Sequence, residues 1–259
     1  MKAFMNRVSF NKTLLILATS FSFLLSHPAR SATNVEKTFQ DPKSGKSGKY
    51  TIAMPDSSVK PKSMGLLIFF HGSGGTQSYA SAFDSLNGVA RENGLIALAL
   101  QAPNGNDTWA NHATGPGNQH EVYVRSLLDS AIFPSIPAID RNKIVFVGLS
   151  AGSTFLSGDF LPKYISDFKG GAVLLCGGGG PVSLQKDYFT ELTKTNSLGF
   201  RLAYFIQKKD FLFSQTMQGI SYWRGRNATV SFEAPEGGSH CGFDVNKEMS
   251  RLIKKVLTR

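Results

Sequence analysis

The chain has 259 residues, 41% of them hydrophobic and 18% charged, and a formal net charge of +10. That length and balance exclude a disordered or collagen-like chain and leave room for one sizeable α/β domain. The basic excess lacks the stripe of Lys and Arg interleaved with aromatics that a nucleic-acid interface needs, so no nucleic-acid partner is expected.

The first segment accounts for part of the charge. Lys2, Arg7 and Lys12 precede the apolar runs Leu14 to Ala18 and Phe21 to Leu25, and Ser26-His27-Pro28-Ala29-Arg30-Ser31-Ala32 follows. A basic start, a short apolar stretch and small residues at positions 29 and 31 predict a signal peptide over 1–31. Thr19, Ser20 and Ser22 interrupt the apolar stretch, which falls short of the roughly 20 residues a span needs. No stable membrane anchor is therefore expected after cleavage, and no cysteine follows the cleavage site to take a lipid. The expected location is secreted or periplasmic. Loss of Lys2, Arg7, Lys12 and Arg30 leaves a charge of +6 on a single expected domain over 32–259.

That domain opens with a predicted hairpin, Val35 to Phe39 and Tyr50 to Met54, around a turn rich in Gly, Ser and Pro. Gly65 to Phe70 is a continuous apolar run, as a strand buried on both faces would be. A helix is predicted over 79–92, a second buried strand over Leu95 to Leu100, and a long loop over 101–118 that carries Trp109. Val124, Leu127, Leu128, Ala131 and Ile132 make the apolar stripe of a helix over 119–132. Lys143 to Val147 is a strand, and a helix opens at Ala151 and runs to about Ser157. Ala172 to Cys176, Leu202 to Ile206 and Thr229 to Glu233 are further strands. A last helix covers 244–257, with Met249, Leu252, Ile253, Val256 and Leu257 on its apolar face. Alternating strands and helices predict a mainly parallel sheet with helices on both faces. No large lid insertion is visible, although the segment 181–200 is long enough for a small cap.

Chemistry in such a sheet belongs at the carboxyl ends of its strands. Gly148-Leu149-Ser150-Ala151-Gly152 has the form G-x-S-x-G and follows the Lys143 to Val147 strand directly, so Ser150 is placed on a sharp strand-to-helix turn. Asp210 and His240 each follow a later strand. Serine is a poor nucleophile until an imidazole takes its proton, and that imidazole needs a carboxylate to fix its tautomer. Ser150, Asp210 and His240 are the expected catalytic residues. The oxyanion needs N–H donors. Ala151 can supply one from the start of its helix, and Ser73 the other from His71-Gly72-Ser73-Gly74-Gly75, with Gly74 as the alternative.

Other residues admit two readings. His71 is a hydrogen-bonding part of the oxyanion loop or a substrate contact. Trp109 and Trp223 either line a pocket or pack. His112 and His120 read as solvated loop histidines. Asp244 and Glu233 are rival acids. Cys176 and Cys241 both lie near the catalytic edge, where an exported protein can bridge them.

These motifs, with Ile139-Asp140-Arg141-Asn142-Lys143-Ile144 and Gly238-Ser239-His240, resemble those of exported α/β-hydrolase esterases. The likeness is to the group of polyhydroxybutyrate depolymerase-type, feruloyl and acetylxylan esterases, and it extends over nearly the whole of 32–259. Members of the group often have a second Gly after the elbow, where this chain has Ser153. The resemblance implies the α/β-hydrolase fold, the Ser150, Asp210 and His240 triad, no cofactor and no metal. It implies an ester substrate, small or polymeric, cleaved through an acyl-enzyme. A peptidase or amidase on the same fold, and a non-catalytic envelope protein on a hydrolase scaffold, are the rival readings; fold alone does not separate them.

Overall fold

Continuous apolar runs of five to seven residues are too short for core helices and, flanked by Gly-containing turns, pair as strands. The computed structural model describes residues 33–54, 63–74, 83–105, 108–109, 119–181, 197 and 199–258. The expected leader, His112, and most of the expected cap segment lie outside the described residues. Among the described residues, no helix is long and apolar enough to cross a membrane.

The strands are β1 (Thr33–Gln40), β2 (Ser47–Met54), β3 (Met64–Phe70), β4 (Leu95–Leu100), β5 (Ile139–Leu149), β6 (Gly170–Leu175), β7 (Arg201–Phe205) and β8 (Thr229–Glu233). They form one eight-stranded sheet in the order β1-β2-β4-β3-β5-β6-β7-β8. β2 runs antiparallel to β1 and β4, and every later pairing is parallel. The expected hairpin is present. Its turn is held by Asp41, whose carboxylate accepts from the amides of Lys43 and Ser44.

The helices are α1 (Phe83–Glu92), α2 (His120–Leu127), α3 (Ala151–Phe155), α4 (Phe213–Gly225) and α5 (Val245–Leu257). Alternate strand residues point to opposite faces and build two cores. Leu66, Ile68, Phe146 and Tyr204 join Val124 of α2, Phe155 of α3 and Trp223 of α4 on one face. Leu67, Val145, Val173 and Ala203 join Leu86 of α1 and Leu252 of α5 on the other. Each such fully buried aliphatic side chain stabilises the fold by about 1.5–3 kcal/mol relative to exposure.

Two helices run further than the sequence predicts. α2 continues through a π turn, Leu128–Ile132, into Phe133–Ser135, and α3 through a second π turn, Leu156–Phe160, into Leu161–Tyr164. In both, a proline (Pro134, Pro162) stands two residues beyond the π turn. Proline lacks the N–H for the usual bond and its ring crowds the carbonyl four residues back. The wider turn relieves that contact, so the helix passes the proline instead of stopping before it. α3 therefore does not end near Ser157.

α4 is absent from the sequence expectation. Its stretch Phe213–Gly225 contains two glycines and many poor helix formers, and no side chain caps its start. Tertiary packing overrides propensity there. A Cβ at Gly219 would collide with the Gly178 carbonyl oxygen, so the glycine lets α4 lie against the backbone that follows β6.

Candidate active site

The elbow between β5 and α3 is built by close backbone contact. Ser150 has φ 52 and ψ −112, a strained conformation for a residue with a Cβ. A Cβ at Gly148 would strike the backbone of Ser153, lying 2.6 Å from its Cα. One at Gly152 would strike the Phe70 carbonyl and lie 2.8 Å from the His71 oxygen. The two glycines of the motif thus permit the turn and seat it on the end of β3. The Ser150 amide donates to the Leu175 carbonyl at 2.9 Å, and the Ser153 hydroxyl donates to the same oxygen at 2.8 Å. Ser153 is buried with its hydroxyl satisfied, which is how the position accepts a side chain larger than glycine.

Ser150 Oγ lies 2.7 Å from His240 Nε2. His240 Nδ1 lies 2.9 Å from both carboxylate oxygens of Asp210. Asp210 can only accept, so Nδ1 carries the proton and Nε2 presents its lone pair to the serine hydroxyl. The Asp210 side chain has no exposed surface, while that of His240 is 27% exposed. The carboxylate end of this hydrogen-bonded series is dry and fixed, and the imidazole is partly open to solvent. Asp210 is held by its own turn: Oδ1 accepts from the Leu212 amide at 2.9 Å, and its carbonyl accepts from the Phe213 amide at 2.9 Å.

The loop carrying His240 is tied at several points. Lys209 N–H donates to Gly237 O at 2.9 Å, and Gln207 Nε2 donates to Gly242 O at 3.3 Å. Phe243 packs edge-on against Phe205 of β7. Cys176 and Cys241 are joined in a disulfide with Cα atoms 5.3 Å apart. The two sulfurs and a His240 ring nitrogen lie within 4.8 Å of one another. With both sulfurs bridged and the imidazole engaged on either side, this trio has no thiolate to offer a metal.

Behind the elbow, Ser157 completes a buried network. Its hydroxyl donates to Gly178 O at 3.2 Å and lies in reach of Tyr204 Oη and Trp223 Nε1, both at 3.1 Å. Burial pushes the Tyr204 phenol up, which keeps it a neutral donor. A Cβ at Gly177 would come within 2.6 Å of the Ser150 carbonyl oxygen. The glycines after Cys176 are thus packing devices that let β6, α3 and α4 close behind the nucleophile.

The structure brings together Ser150, Asp210 and His240. Ala151 opens α3 directly after Ser150. Gly72 is close enough to Ser150 that a Cβ would meet the serine Cβ at 3.3 Å, so the Gly72-Ser73-Gly74 turn lies beside the elbow. Ser73 Oγ is 3.0 Å from Thr108 Oγ1, a tie between this turn and the following loop that the sequence reading lacks. Gly74 has φ +73, the left-handed conformation glycine favours.

The structure decides the readings left open and corrects those of His71 and Trp109 as substrate contacts and of His120 as a solvated histidine. His71 is not a substrate contact: it is fully buried, its Nδ1 lies 2.7 Å from Gly72 O, and its Nε2 accepts from the Ala102 amide at 3.1 Å. Trp109 does not line a cleft; it is buried between Phe70 and Phe155, with ring centroids at 5.0 and 5.1 Å. His120 is not a solvated loop residue but starts α2, buried edge-on against Trp109. Trp223 is core. Both rival acids serve elsewhere: Asp244 caps α5 by accepting from the Lys247 amide, and Glu233 pairs with Arg251 and Lys255.

Phe211 has no role in the sequence expectations. It follows Asp210 in the chain, is 75% exposed, and its ring centroid lies 4.5 Å from that of His240. A cavity of about 1050 Å³ lies at the opposite edge of the sheet, lined by Lys143, Lys169 and Arg201 among others, and no triad residue borders it.

No protein-family model matches the chain, and no curated protein matches it. Solved structures do. A ferulic acid esterase superposes with a TM-score of 0.64 at 15% identity, over 87% of this chain and 97% of that one. A substrate-bound fluorophosphonate-binding serine hydrolase of Staphylococcus aureus superposes at 0.64 and 16%, over 88% and 100%. A Bacillus cereus carboxylesterase superposes at 0.56 and 15%, over 88% and 96%. Sheet order, strand directions and these superpositions agree on one architecture: the chain has the α/β-hydrolase fold.

Proposed function

We propose that this chain is a serine hydrolase that cleaves carboxylic esters. The observation that carries the reading is the hydrogen-bonded series from Ser150 through His240 to Asp210 on a strained elbow. Ser150 Oγ attacks the ester carbonyl carbon as its proton passes to His240 Nε2. Asp210 holds the imidazole in the right tautomer and stabilises the imidazolium. The oxyanion is held by the Ala151 amide and an amide of the Ser73-Gly74 turn. His240 returns the proton to the leaving oxygen as its bond to carbon breaks, which leaves acyl-Ser150 and a free alcohol. Water then attacks the acyl carbon, giving its proton to His240, and the acid departs as the proton returns to Ser150. The steps balance with ester and water alone.

The test is hydrolysis of p-nitrophenyl acetate and butyrate by the wild type and Ser150→Ala. The variant is expected to lose at least about a thousandfold in kcat. Undiminished hydrolysis by that variant would overturn the assignment. Feruloyl, acetyl and hydroxybutyrate esters belong in the same panel, because the motifs resemble those of feruloyl, acetylxylan and polyhydroxybutyrate esterases and a ferulic acid esterase is among the structural neighbours.

The work site of this enzyme is outside the cytoplasm. The leader-like residues 1–31 support that location, as does the Cys176–Cys241 disulfide, a bond that persists in oxidising compartments. A periplasmic or culture-fluid form beginning at Ala32 is the expected product; a cytoplasmic chain still carrying residue 1 would contradict it.

A further inference from the structure

We propose that Phe211 is the specificity-determining residue for the alcohol side of the ester, a platform that selects an aromatic or bulky apolar leaving group. The inference rests on the hydrolase reading above and adds the half of the substrate that reading leaves open.

Among the described residues, Phe211 and Met217 are the exposed large hydrophobics, and Phe211 is by far the more exposed at 75%. A single exposed apolar side chain is ordinary; what distinguishes Phe211 is that its ring lies against the His240 imidazole. The ring is set by a rigid turn. Asp210 accepts from the Leu212 amide through Oδ1 and from the Phe213 amide through its carbonyl, so both neighbours of Phe211 are pinned. The ring lies against the His240 imidazole at 4.5 Å and 43°, within the range of an aromatic pair.

The imidazole has Asp210 at Nδ1 and Ser150 at Nε2, and the Phe211 ring lies tilted against it. In acyl transfer the acyl carbon bonds to Ser150 and its oxygen points to the oxyanion amides. The leaving oxygen must instead reach Nε2 to take its proton. The group attached to that oxygen therefore departs beside the imidazole. An apolar ring tilted against that imidazole and open to solvent is placed to contact the alcohol moiety rather than the acyl chain. Acylation should feel Phe211, and hydrolysis of the acyl-enzyme, from which the alcohol has gone, should not.

The experiment holds the acyl group constant and varies the alcohol: kcat/KM for phenyl acetate and methyl acetate with wild type, Phe211→Ala and Phe211→Leu. Phe211→Ala is expected to lower kcat/KM for phenyl acetate about tenfold, the order of one lost aromatic contact, and to change methyl acetate by less than about twofold. Phe211→Leu, which restores apolar contact without a ring, should fall between. The ratio of butyrate to acetate p-nitrophenyl esters should be the same in all three proteins, because the acyl side does not touch the ring. An equal loss on phenyl and methyl acetate would overturn the inference, since it would make Phe211 a support for His240 rather than a contact for the alcohol. A change in the butyrate-to-acetate ratio would overturn it too. A wild-type protein inactive on every ester would overturn the hydrolase reading, and this inference with it. Phe211 is largely exposed, so its removal should leave the thermal unfolding curve in place and the kinetic result readable.

Discussion

Cys241, which follows His240 in the chain, is bonded to Cys176, which follows Leu175, the residue whose carbonyl holds the Ser150 amide. One covalent link therefore fastens the loop of His240 to the strand end that positions Ser150. Both cysteines have positive φ, 45 at Cys176 and 53 at Cys241, a conformation that costs energy in a residue with a side chain.

Breaking that link should affect both stability and chemistry. The bridge closes a sequence separation of 65 residues, for which chain entropy gives a stabilisation of roughly 4 kcal/mol, with strain reducing the net effect. The paired variant Cys176→Ser with Cys241→Ser is expected to lose about 2–4 kcal/mol of unfolding free energy in urea titration. Its kcat on p-nitrophenyl acetate should fall as well, because the His240 loop loses its covalent tie. Treatment of wild type with a thiol reductant should reproduce the loss of activity, and reoxidation should restore it.

Asp210→Asn keeps the size of the side chain and removes its charge. The amide can donate to Nδ1 and so favours the wrong tautomer, with the proton on the Nε2 that must accept from Ser150. The expected loss in kcat is on the order of 10³- to 10⁴-fold, with little change in KM. Steady-state kinetics beside a thermal melt checks this. A loss confined to KM would point to a role in binding instead.

Gly152→Ala tests the fit of the elbow. The new methyl would run into the Phe70 carbonyl, which belongs to a central strand and cannot move aside cheaply. Overpacking of this kind costs about 1–3 kcal/mol, and here it would also push the nucleophile off its site. The variant is expected to melt lower and hydrolyse less. Ser153→Ala is the gentler control: it removes one hydrogen bond to Leu175 O and should cost about 1 kcal/mol while leaving the Ser150 amide bonded to that oxygen.

Glu233 offers a pH test away from the catalytic groups. Hydrogen bonds from Arg251, then from Lys255, hold its carboxyl below the usual range. A carboxylate whose folded value is depressed contributes stability above its unfolded value and loses it as pH falls through the folded one. The groups are partly solvated, so the pair is worth about 0.5 kcal/mol. Glu233→Gln should therefore melt slightly below wild type at neutral pH, and the gap should close as pH falls through the depressed folded value. A gap that widens in acid would contradict the sign.

What could be read from the sequence follows from how local each signal is. Ser150, Asp210 and His240 could be named because each follows an apolar run that had to be a strand, and the carboxyl edge of a parallel sheet gathers such positions. The two cysteines could be placed near that edge for the same reason. Trp109 and His71 also follow strand ends, but which way they face is set by partners distant in the chain: Phe70 and Phe155 for Trp109, and the Ala102 amide for His71. α4 was hidden because Gly219 is a poor helix former whose value appears only against the Gly178 carbonyl. The π turns before Pro134 and Pro162 are likewise invisible to a rule that ends helices at proline. Phe211 carried no pattern at all. Its meaning comes from being exposed, and exposure is a property of the folded surface.

The most direct measurement of the central claim is the site of covalent capture by a fluorophosphonate, which reacts with a serine only when its base and oxyanion donors are in place. Intact-mass analysis of the wild type should show a single adduct, peptide mapping should place it on Ser150, and Ser150→Ala should take up none. An unlabelled wild type, or an adduct on another residue that persists in Ser150→Ala, would contradict the account.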